Sequence, residues 1–317
     1  MKALIIDHVS DYIGNTISEY GVEVDYKMLP TKDELKEVIG AYELLIMRID
    51  PFIDKEILEA AKQLKAICVC SVGVNHIDLD FAKEKGIRVT NAPGVNSNAV
   101  AELTLSKILD LFRNTMAAHE EIKYERNWNK YKWVGWELKG KTIGIVGFGK
   151  IGSRVARLAQ GFEMKTVAYD PYLKKEDIEA QGTKYAATLR ELLESSECIS
   201  LHVPIKDDTR NMISREQFDQ MKPGAYLVNC ARGGVVDEEA AYDNLKSGKL
   251  GGFSTDVLLA ELSGDGFSKE DIPLTSPLFE FKNFHCSPHF GGGTHDALNA
   301  IGELVVEKII KIFALKK

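Results

Sequence analysis

The sequence has little of what marks a secreted, membrane-spanning or metal-binding chain. Its 317 residues include five cysteines, none in a C-x-x-C pair, which favours reduced thiols in a cytoplasmic protein over a disulfide scaffold. No apolar run approaches the roughly 20 residues that a membrane-spanning helix needs, and the short apolar start favours a buried strand over a secretion signal. The seven histidines are scattered and no H-E-x-x-H motif occurs, so no metal site is expected.

Positive charge is also in short supply. Lys and Arg number 40 against 47 Asp and Glu, which leaves a net charge of −7, and no block of basic residues stands out. Binding to a nucleic acid depends on a basic surface that neutralises phosphates. A nucleic-acid partner is therefore not expected.

What is present is typical of a globular α/β protein of about two domains. Apolar residues make up 44% of the chain and charged residues 27%. In both halves, short apolar runs alternate with amphipathic helical patterns, which predicts two sets of βα units with parallel sheets. The predicted strands lie at residues 3–6, 22–26, 44–47, 66–69 and 87–89 in the first half, and at 142–146, 166–169, 198–203, 225–229 and 250–255 in the second.

Two long helical patterns, at about 98–112 and 294–313, are natural crossovers between the halves. We therefore predict a discontinuous first domain, residues 1–98 plus 290–317, and a second domain of residues 99–289. The stretch from Tyr124 to Trp136 holds three tryptophans and has no clear period. It is interpreted as a loop or an arm.

A glycine-rich motif follows the first predicted strand of the second half. Thr142–Val146 leads into Gly147-Phe148-Gly149-Lys150-Ile151-Gly152, which has the spacing G-x-G-x-x-G, and a helical pattern follows. In such a loop the first glycine makes the tight turn, the second lets backbone approach a pyrophosphate, and the third lets helix and strand pack closely. Free N–H groups at the start of the helix then bind the anion.

An acidic residue stands where a dinucleotide site needs one. Asp170 ends the next predicted strand, 18 residues after Gly152, where a carboxylate accepts hydrogen bonds from the adenosine ribose. A carboxylate there repels a 2′-phosphate, so NAD is favoured over NADP as the cofactor. The alternative is that Asp170 only caps a turn before Pro171. The joint register of strand, loop, helix and acid favours the dinucleotide interpretation.

Several further segments match motifs that are specific to one protein family, and they occur in the same order along the chain. They are 71–79 (SVGVNHIDL), 90–94 (TNAPG), 100–104 (VAELT), the glycine loop, 201–204 (LHVP), 221–225 (MKPGA), 229–234 (NCARGG), Asp256-Val257 with Glu261, and 287–289 (SPH). From about Leu44 onward the chain resembles the D-isomer-specific 2-hydroxyacid dehydrogenase family. The resemblance implies two Rossmann-like or flavodoxin-like parallel-sheet domains with an active-site cleft between them. Residues 99–289 would bind NAD, and the discontinuous domain would bind the substrate, a small 2-hydroxy or 2-oxo acid.

The resemblance implies three catalytic residues. Arg232 is expected to bind the substrate carboxylate and carbonyl oxygen, a task suited to its bidentate, permanently charged guanidinium. His289 is expected to act as general acid and base, because an imidazole titrates near neutral pH. Glu261 is expected to hydrogen-bond His289, fix its tautomer and favour the imidazolium form. Taken singly, each residue is as well explained by a structural ion pair, a packed histidine or a surface acid.

The resemblance also implies the residues around the cofactor and the substrate. The implied cofactor contacts are Gly147, Gly149, Lys150, Ile151, Gly152, Asp170, His202, Val203, Pro204, Thr209, Cys230, Ala231, Arg232, Asp256, His289, Gly291 and Gly292. Asp256 is expected at the nicotinamide carboxamide, whereas His202 is equally compatible with a structural role. Backbone N–H groups of Val72, Gly73 and Val74 are expected at the substrate carboxylate.

The chain departs from the family pattern at three places. Leu262 stands where a proline usually follows the catalytic glutamate, and the segment Ser263–Asp271 is additional, so it is a candidate for the rim of the cleft. Cys230 stands where Thr or Ser is frequent, which raises the question of a reactive thiol beside the cofactor.

The substrate is predicted from weaker signals. Asn299–Glu303 and Gly291–Thr294 resemble the phosphoglycerate dehydrogenase branch, and Arg48, which follows the third predicted strand, is expected to bind a substrate phosphate unless it is a surface cation. With no regulatory domain after Lys317, a short-form D-3-phosphoglycerate dehydrogenase is predicted. A hydroxypyruvate or glyoxylate reductase or a D-lactate dehydrogenase is the nearest alternative.

Two expectations concern protein partners. In the family the aromatic arm packs on a second subunit, so a homodimer is predicted. Some relatives act as NAD-sensing corepressors that bind protein motifs, and this alternative of another class keeps the same cofactor site. The absence of a disordered tail or an additional interaction segment argues against it.

Overall fold

The computed structural model describes residues 1–262 and 274–317, and only the backbone of residues 261 and 262. The described residues form two compact units. The first comprises residues 1–96 and 293–317, and the second comprises residues 97–262 and 274–292.

Both units alternate strands and helices. The strands are β1 (Lys2–Ile5), β2 (Glu23–Tyr26), β3 (Leu44–Met47), β4 (Ala66–Val69), β5 (Arg88–Thr90), β6 (Thr142–Val146), β7 (Lys165–Tyr169), β8 (Lys184–Tyr185), β9 (Cys198–Leu201), β10 (Ala225–Asn229), β11 (Leu250–Thr255) and β12 (Phe284–Cys286). The α-helices are α1 (Asp11–Ser18), α2 (Lys32–Val38), α3 (Lys55–Ala60), α4 (Leu79–Glu84), α5 (Ser97–Arg113), α6 (Thr115–Glu120), α7 (Lys150–Gly161), α8 (Lys175–Glu179), α9 (Leu189–Ser195), α10 (Arg215–Gln220), α11 (Glu238–Lys246) and α12 (His295–Phe313). Short 3-10 turns lie at Ile39–Ala41, Leu259–Leu262 and Pro277–Glu280, and a π-helical turn lies at Glu121–Glu125. Among the described residues, no helix combines the length and the apolar character needed to cross a bilayer.

The first unit is built on a parallel sheet of order β2-β1-β3-β4-β5. This is the flavodoxin-like order. Strands β3 and β4 are buried along their whole length, as expected for parallel strands covered on both faces. Helix α12 packs on α1, and a Cβ at Gly302 would lie 3.2 Å from the Cβ of Ser10. This close contact returns the last part of the chain to the first unit.

The second unit is built on a parallel sheet of order β12-β11-β10-β9-β6-β7-β8. Counted from β6, the first six strands follow the dinucleotide-binding order 3-2-1-4-5-6, and β12 adds a seventh. After β6, the chain adds β7 and β8 on one side of β6 and then adds β9 to β12 on its other side. The strand order therefore reverses at β6, between β7 and β9. In sheets of this kind, ligands bind at the carboxyl ends of the strands at that switch point.

The predicted two-sheet parallel α/β fold is confirmed, and the missed elements are those with weak apolar patterns. The predicted strands at 44–47, 66–69, 142–146, 225–229 and 250–255 have the observed bounds. Strand β8 was not predicted because it is a two-residue edge strand, and β12 was not predicted because His285 interrupts its apolar pattern. Helix α3 begins after Asp54, whose side chain caps it by accepting from the N–H of Ile57.

One buried histidine generates a prediction for acid stability. Burial lowers the pKa of His202 to about 3, so the folded protein holds this imidazole neutral while the unfolded chain protonates it near pH 6.5. Stability from this group is therefore present above pH 6.5 and is lost as the pH falls toward 3, by up to about 1.4 kcal/mol per pH unit. In His202→Asn, the free energy of unfolding should fall less steeply between pH 6.5 and 4.5 than in the parent.

Urea unfolding across this pH range measures the slope. His119→Asn, at an exposed histidine, is the matched control and should keep the parent's slope. An unchanged slope in His202→Asn would contradict the prediction.

Candidate active site

The glycine loop connects β6 to α7. Gly147 has φ of +87°, which L side chains rarely adopt, and a Cβ at Gly152 would lie 2.0 Å from the carbonyl oxygen of Gly147. At Gly149, the N-cap of α7, no described atom lies within 4 Å of the position of a Cβ. The backbone at Gly149 faces open space, and Lys150 and Ile151 lie in the first turn of the helix. The loop therefore fits the pyrophosphate of a dinucleotide.

Asp170 directly follows β7 and is tied to the glycine loop. Its Oδ2 accepts a hydrogen bond of 2.9 Å from the backbone N–H of Phe148, and its Oδ1 accepts one of 2.9 Å from that of Tyr172. The residue thus caps the turn at Pro171 and at the same time places a carboxylate beside the loop. Each carboxylate oxygen keeps a further lone pair that can accept from a ribose hydroxyl.

The loop after β9 lies against the glycine loop. His202 is half-buried as a residue, and its imidazole pairs Nε2 with the hydroxyl of Ser200 at 2.8 Å. Its Nδ1 is buried and has no hydrogen-bond partner among the described residues. A Cβ at Gly147 would lie 3.0 Å from Cγ1 of Val203. The hydroxyl of Thr209 donates to the carbonyl of Pro204 at 2.7 Å and thereby folds this loop.

Asn229 fixes the loop that carries Arg232. It ends β10, is 2% exposed, and its Nδ2 donates to the carbonyl of Arg232 at 3.0 Å. Its Oδ1 accepts from the N–H of Ala231 at 3.0 Å. The guanidinium of Arg232, which is half-buried, donates from Nη1 to the carbonyl of Ala231 at 2.7 Å.

Asp256 fixes the loop that carries His289. This carboxylate is 2% exposed. Its Oδ1 accepts from the hydroxyl of Ser287 at 2.5 Å and from the N–H of Phe290 at 3.2 Å, and its Oδ2 accepts from the N–H of Gly291 at 2.8 Å. Each carboxylate oxygen of Asp256 thus accepts at least one hydrogen bond from the loop of residues 287–291. Gly292 follows at the end of this segment and is half-buried.

The backbone at His289 has φ of +49°, a left-handed conformation that few non-glycine residues adopt. Its N–H donates to the carbonyl of Asp256 at 2.9 Å. The side chain is exposed, so an imidazole that can reach a ligand stands on a tightly held backbone. Such an outlier is a reason to infer function.

The two loops have one common support, because the N–H of Asp256 donates to the carbonyl of Asn229 at 2.9 Å. Asn229 and Thr255 are register partners at the ends of β10 and β11. The structure therefore brings the loops of Arg232 and His289 together at neighbouring strand ends of the second unit. Of Glu261 only the backbone is described, in the turn Leu259–Leu262, and the segment Ser263–Asp271 lies outside the described residues.

Cys230 lies between these two supports and is buried. Burial raises the pKa of its thiol to about 11, with a smaller opposing effect of a hydrogen bond from Thr104. The thiol is therefore protonated at neutral pH, and the concern about a reactive cysteine is not supported. The described residues contain no cluster of three or more His, Cys, Asp or Glu side chains that could hold a metal ion.

The predicted substrate groups of the first unit lie beside one another. The hydroxyl of Ser71 donates to the carbonyls of Arg48 and Gly73, each at 3.1 Å. The amide of Asn91 donates to the carbonyl of Val72 at 2.6 Å, and Val74 completes the turn before Ile77. The Nε of Arg48 is buried and has no hydrogen-bond partner among the described residues. A buried guanidinium nitrogen without a partner is rare in native proteins and calls for an explanation.

Three supporting residues were not singled out from the sequence: Lys107, Asn229 and Ser287. Asn229 stood inside a recognised motif, and its position at a strand end before a loop was the available signal. Ser287 likewise stood in a motif. Lys107 was visible only as a charged residue on an otherwise apolar helix face, and its partner lies 148 residues away.

Comparison with known proteins agrees with this arrangement. Residues 105–291 match the family model of the D-isomer specific 2-hydroxyacid dehydrogenase NAD binding domain. The chain is 38% identical over 312 residues to a D-3-phosphoglycerate dehydrogenase of Methanocaldococcus jannaschii, which covers 98% of this chain and 57% of that protein. It is 39% identical over 280 residues to a hydroxypyruvate reductase of Thermotoga maritima, which covers 88% of each. The chain thus spans just over half the length of the first of these relatives.

A solved structure gives the same result. A D-lactate dehydrogenase from Aquifex aeolicus, complexed with NAD and lactic acid, superposes with a TM-score of 0.80 at 31% identity, covering 98% of this chain and 95% of that chain. The family model, the sequence relatives and this structure agree on one family. The chain belongs to the D-isomer specific 2-hydroxyacid dehydrogenase family.

Proposed function

We propose that the protein is an NAD-dependent D-2-hydroxyacid dehydrogenase that interconverts a 2-hydroxy acid and a 2-oxo acid. The observation that carries this proposal is the hydrogen bond from Asp256 to Asn229, because it supports the loops of Arg232 and His289 at neighbouring strand ends. The glycine loop lies at the carboxyl end of β6 in the same sheet. The guanidinium of Arg232, the imidazole of His289 and a glycine loop suited to a dinucleotide thus belong to one sheet. This combination fits hydride transfer between a dinucleotide and a 2-oxo acid.

Each residue has a defined task in this proposal. Arg232 binds the substrate carboxylate and polarises the carbonyl through its guanidinium. His289 donates a proton to the carbonyl oxygen during reduction and removes it during oxidation. Asp256 holds the His289 loop through its carboxylate. Glu261 is assigned the task of fixing the imidazole tautomer.

The cofactor residues follow from the same geometry. The glycine loop with Lys150 and Ile151 holds the pyrophosphate, Asp170 accepts from the ribose, and bound NAD supplies or accepts the hydride. The loop at Val203, Pro204 and Thr209 and the segments at Cys230, Ala231, Gly291 and Gly292 border the same strand ends. Asp256 also reaches the carboxamide in this proposal, through the acceptor capacity that its loop bonds leave.

We further propose D-3-phosphoglycerate and its 2-oxo form as the substrate pair. Arg48 supports this choice, because its buried Nε has no partner among the described residues and suits a phosphate oxygen. The backbone N–H groups of Val72, Gly73 and Val74 bind the carboxylate. The second candidate is hydroxypyruvate, which the match over 88% of the length of a hydroxypyruvate reductase favours.

A homodimer is part of the proposal. The arm at residues 124–136 exposes aromatic and apolar side chains: Tyr124 (71%), Trp128 (81%), Tyr131 (78%), Val134 (78%) and Trp136 (61%). An apolar patch of this kind marks a protein interface.

A cytoplasmic location is also proposed, because all five cysteines are free. Disulfides detected by mass spectrometry of the native protein would contradict this location.

NADH oxidation tests the reaction and the substrate together. With phosphohydroxypyruvate, hydroxypyruvate, glyoxylate and pyruvate as the panel, we expect the highest kcat/KM for phosphohydroxypyruvate. His289→Gln should lower kcat by about 10²–10⁴-fold, because it removes the proton donor, and should weaken NADH binding far less than it lowers kcat. No turnover of any 2-oxo acid by the parent, with NADH bound, would favour the corepressor-like alternative.

Replacement of Arg48 tests the phosphate assignment. Arg48→Met should lower kcat/KM for phosphohydroxypyruvate by about 10–100-fold, since a charge-assisted hydrogen bond is lost, and should change the value for hydroxypyruvate by less than about threefold. Arg88→Met, at an exposed arginine of β5, is the matched control and should alter neither value. An equal loss for both substrates would remove the phosphate assignment.

Sedimentation tests the dimer. The chain has a mass of 35.3 kDa, so the parent should sediment with twice that mass. Trp128→Ser combined with Tyr131→Ser should shift the protein toward the monomer, because these side chains are largely exposed in the single chain. A parent that sediments as a monomer at micromolar concentration would overturn the assignment of the arm.

A further inference from the structure

A buried lysine has no task in the mechanism above. Lys107 lies on α5, is 6% exposed, and stands among the buried side chains of Thr104, Ile108 and Leu111. Lysine is almost never buried to this extent without a partner. Within the part of the chain that the structure describes, no carboxylate lies within 4 Å of its Nζ, which instead donates to the carbonyl of Thr255 at 2.9 Å.

The carbonyl of Thr255 also anchors the loop that carries His289. Thr255 ends β11, and its carbonyl oxygen also accepts from the backbone N–H of Ser287 at 3.0 Å. The next residue is Asp256, whose carboxylate holds Ser287, Phe290 and Gly291. Lys107 therefore donates to the same carbonyl oxygen, that of Thr255, to which the His289 loop is hydrogen-bonded through Ser287.

The charge of Lys107 also has a buried counterpart. Burial is the main cause of the raised pKa of the Cys230 thiol, and Lys107 lowers this pKa while Asp256 raises it. The ammonium and the carboxylate thus act on the same buried thiol with opposite sign. Lys107 and Asp256 therefore both lie close to this thiol.

On the basis of the proposed function, we infer that Lys107 is a positioning residue for hydride transfer. Its ammonium ties α5 to the carbonyl of Thr255, and this tie holds Asp256 and the His289 loop in the reacting geometry. Lys107 touches neither substrate nor cofactor in this role. It acts on the reaction only through the place of the imidazole.

A purely structural role predicts a different result from a positioning role. Lys107→Met keeps the approximate length of the side chain and removes its charge and its bond to Thr255. The carbonyl of Thr255 still accepts from the N–H of Ser287, so the Tm should stay near that of the parent. Its kcat should fall about tenfold or more, because a small displacement of a catalytic group lowers the rate steeply, while KM for NADH stays within about twofold.

The matched control lies at the other end of the same strand. Lys249 immediately precedes β11, and its Nζ donates to the carbonyl of Met221 at 2.7 Å, so it makes the same kind of bond far from the His289 loop. Lys249→Met should leave kcat unchanged. Equal kcat values for Lys107→Met, Lys249→Met and the parent would overturn the inference.

A second variant tests the same support without a change in the core. Ser287→Ala removes the hydroxyl bond to Asp256, so it should lower the Tm by a few degrees and lower kcat by about threefold to tenfold. In the double variant, the fall in kcat should be smaller than the product of the single effects, because both side chains hold one loop. If Lys107→Met does not fold, an unchanged kcat in Ser287→Ala overturns the inference by itself. A parent that reduces no 2-oxo acid refutes the proposed function instead, and the two failures are distinguishable.

Discussion

The hydrogen bond from the N–H of Asp256 to the carbonyl of Asn229 is the constraint on which the candidate site depends. Neighbouring strands lie about 4.8 Å apart, so residues at their ends meet only if the register is held. Both side chains are 2% exposed and turn their polar atoms inward to the loops that follow. Removing the loop of residues 287–291 would leave the Asp256 carboxylate buried without its three hydrogen bonds, which is costly. The cost of burying the Asp256 carboxylate without these partners thus holds the loop of residues 287–291 in place.

The same constraint explains how the backbone of His289 is kept in a strained conformation. A left-handed non-glycine residue costs on the order of 1 kcal/mol or more and persists only where its surroundings determine it. The bonds from the N–H groups of His289, Phe290 and Gly291 to Asp256 supply that determination. The imidazole itself remains exposed. A fixed backbone with an accessible side chain is what proton transfer to a bound substrate requires.

Strand order determines which parts of the sequence can cooperate. The glycine loop follows β6 and the Arg232 loop follows β10. The His289 loop follows β12 and is hydrogen-bonded to Asp256 at the end of β11. Three steps across the sheet, β6 to β9 to β10 to β11, amount to roughly 14 Å. In the proposed function, a dinucleotide with its phosphates on the glycine loop and its reacting atom near His289 extends along these strand ends.

Residues whose local pattern carried the information could be predicted from the sequence, and residues whose role depends on a distant partner could not. Strands β3 and β4 are wholly buried, and their continuous apolar runs marked their bounds. The role of Lys107 is set by a carbonyl 148 residues away, and a charged residue on an apolar helix face shows only that a partner must exist. A charged residue in an apolar helix pattern therefore indicates a buried charge with a polar partner, because burying a charge without one costs more free energy than burying an apolar side chain. The partner, and hence the purpose, is defined only when the topology places the end of β11 against α5.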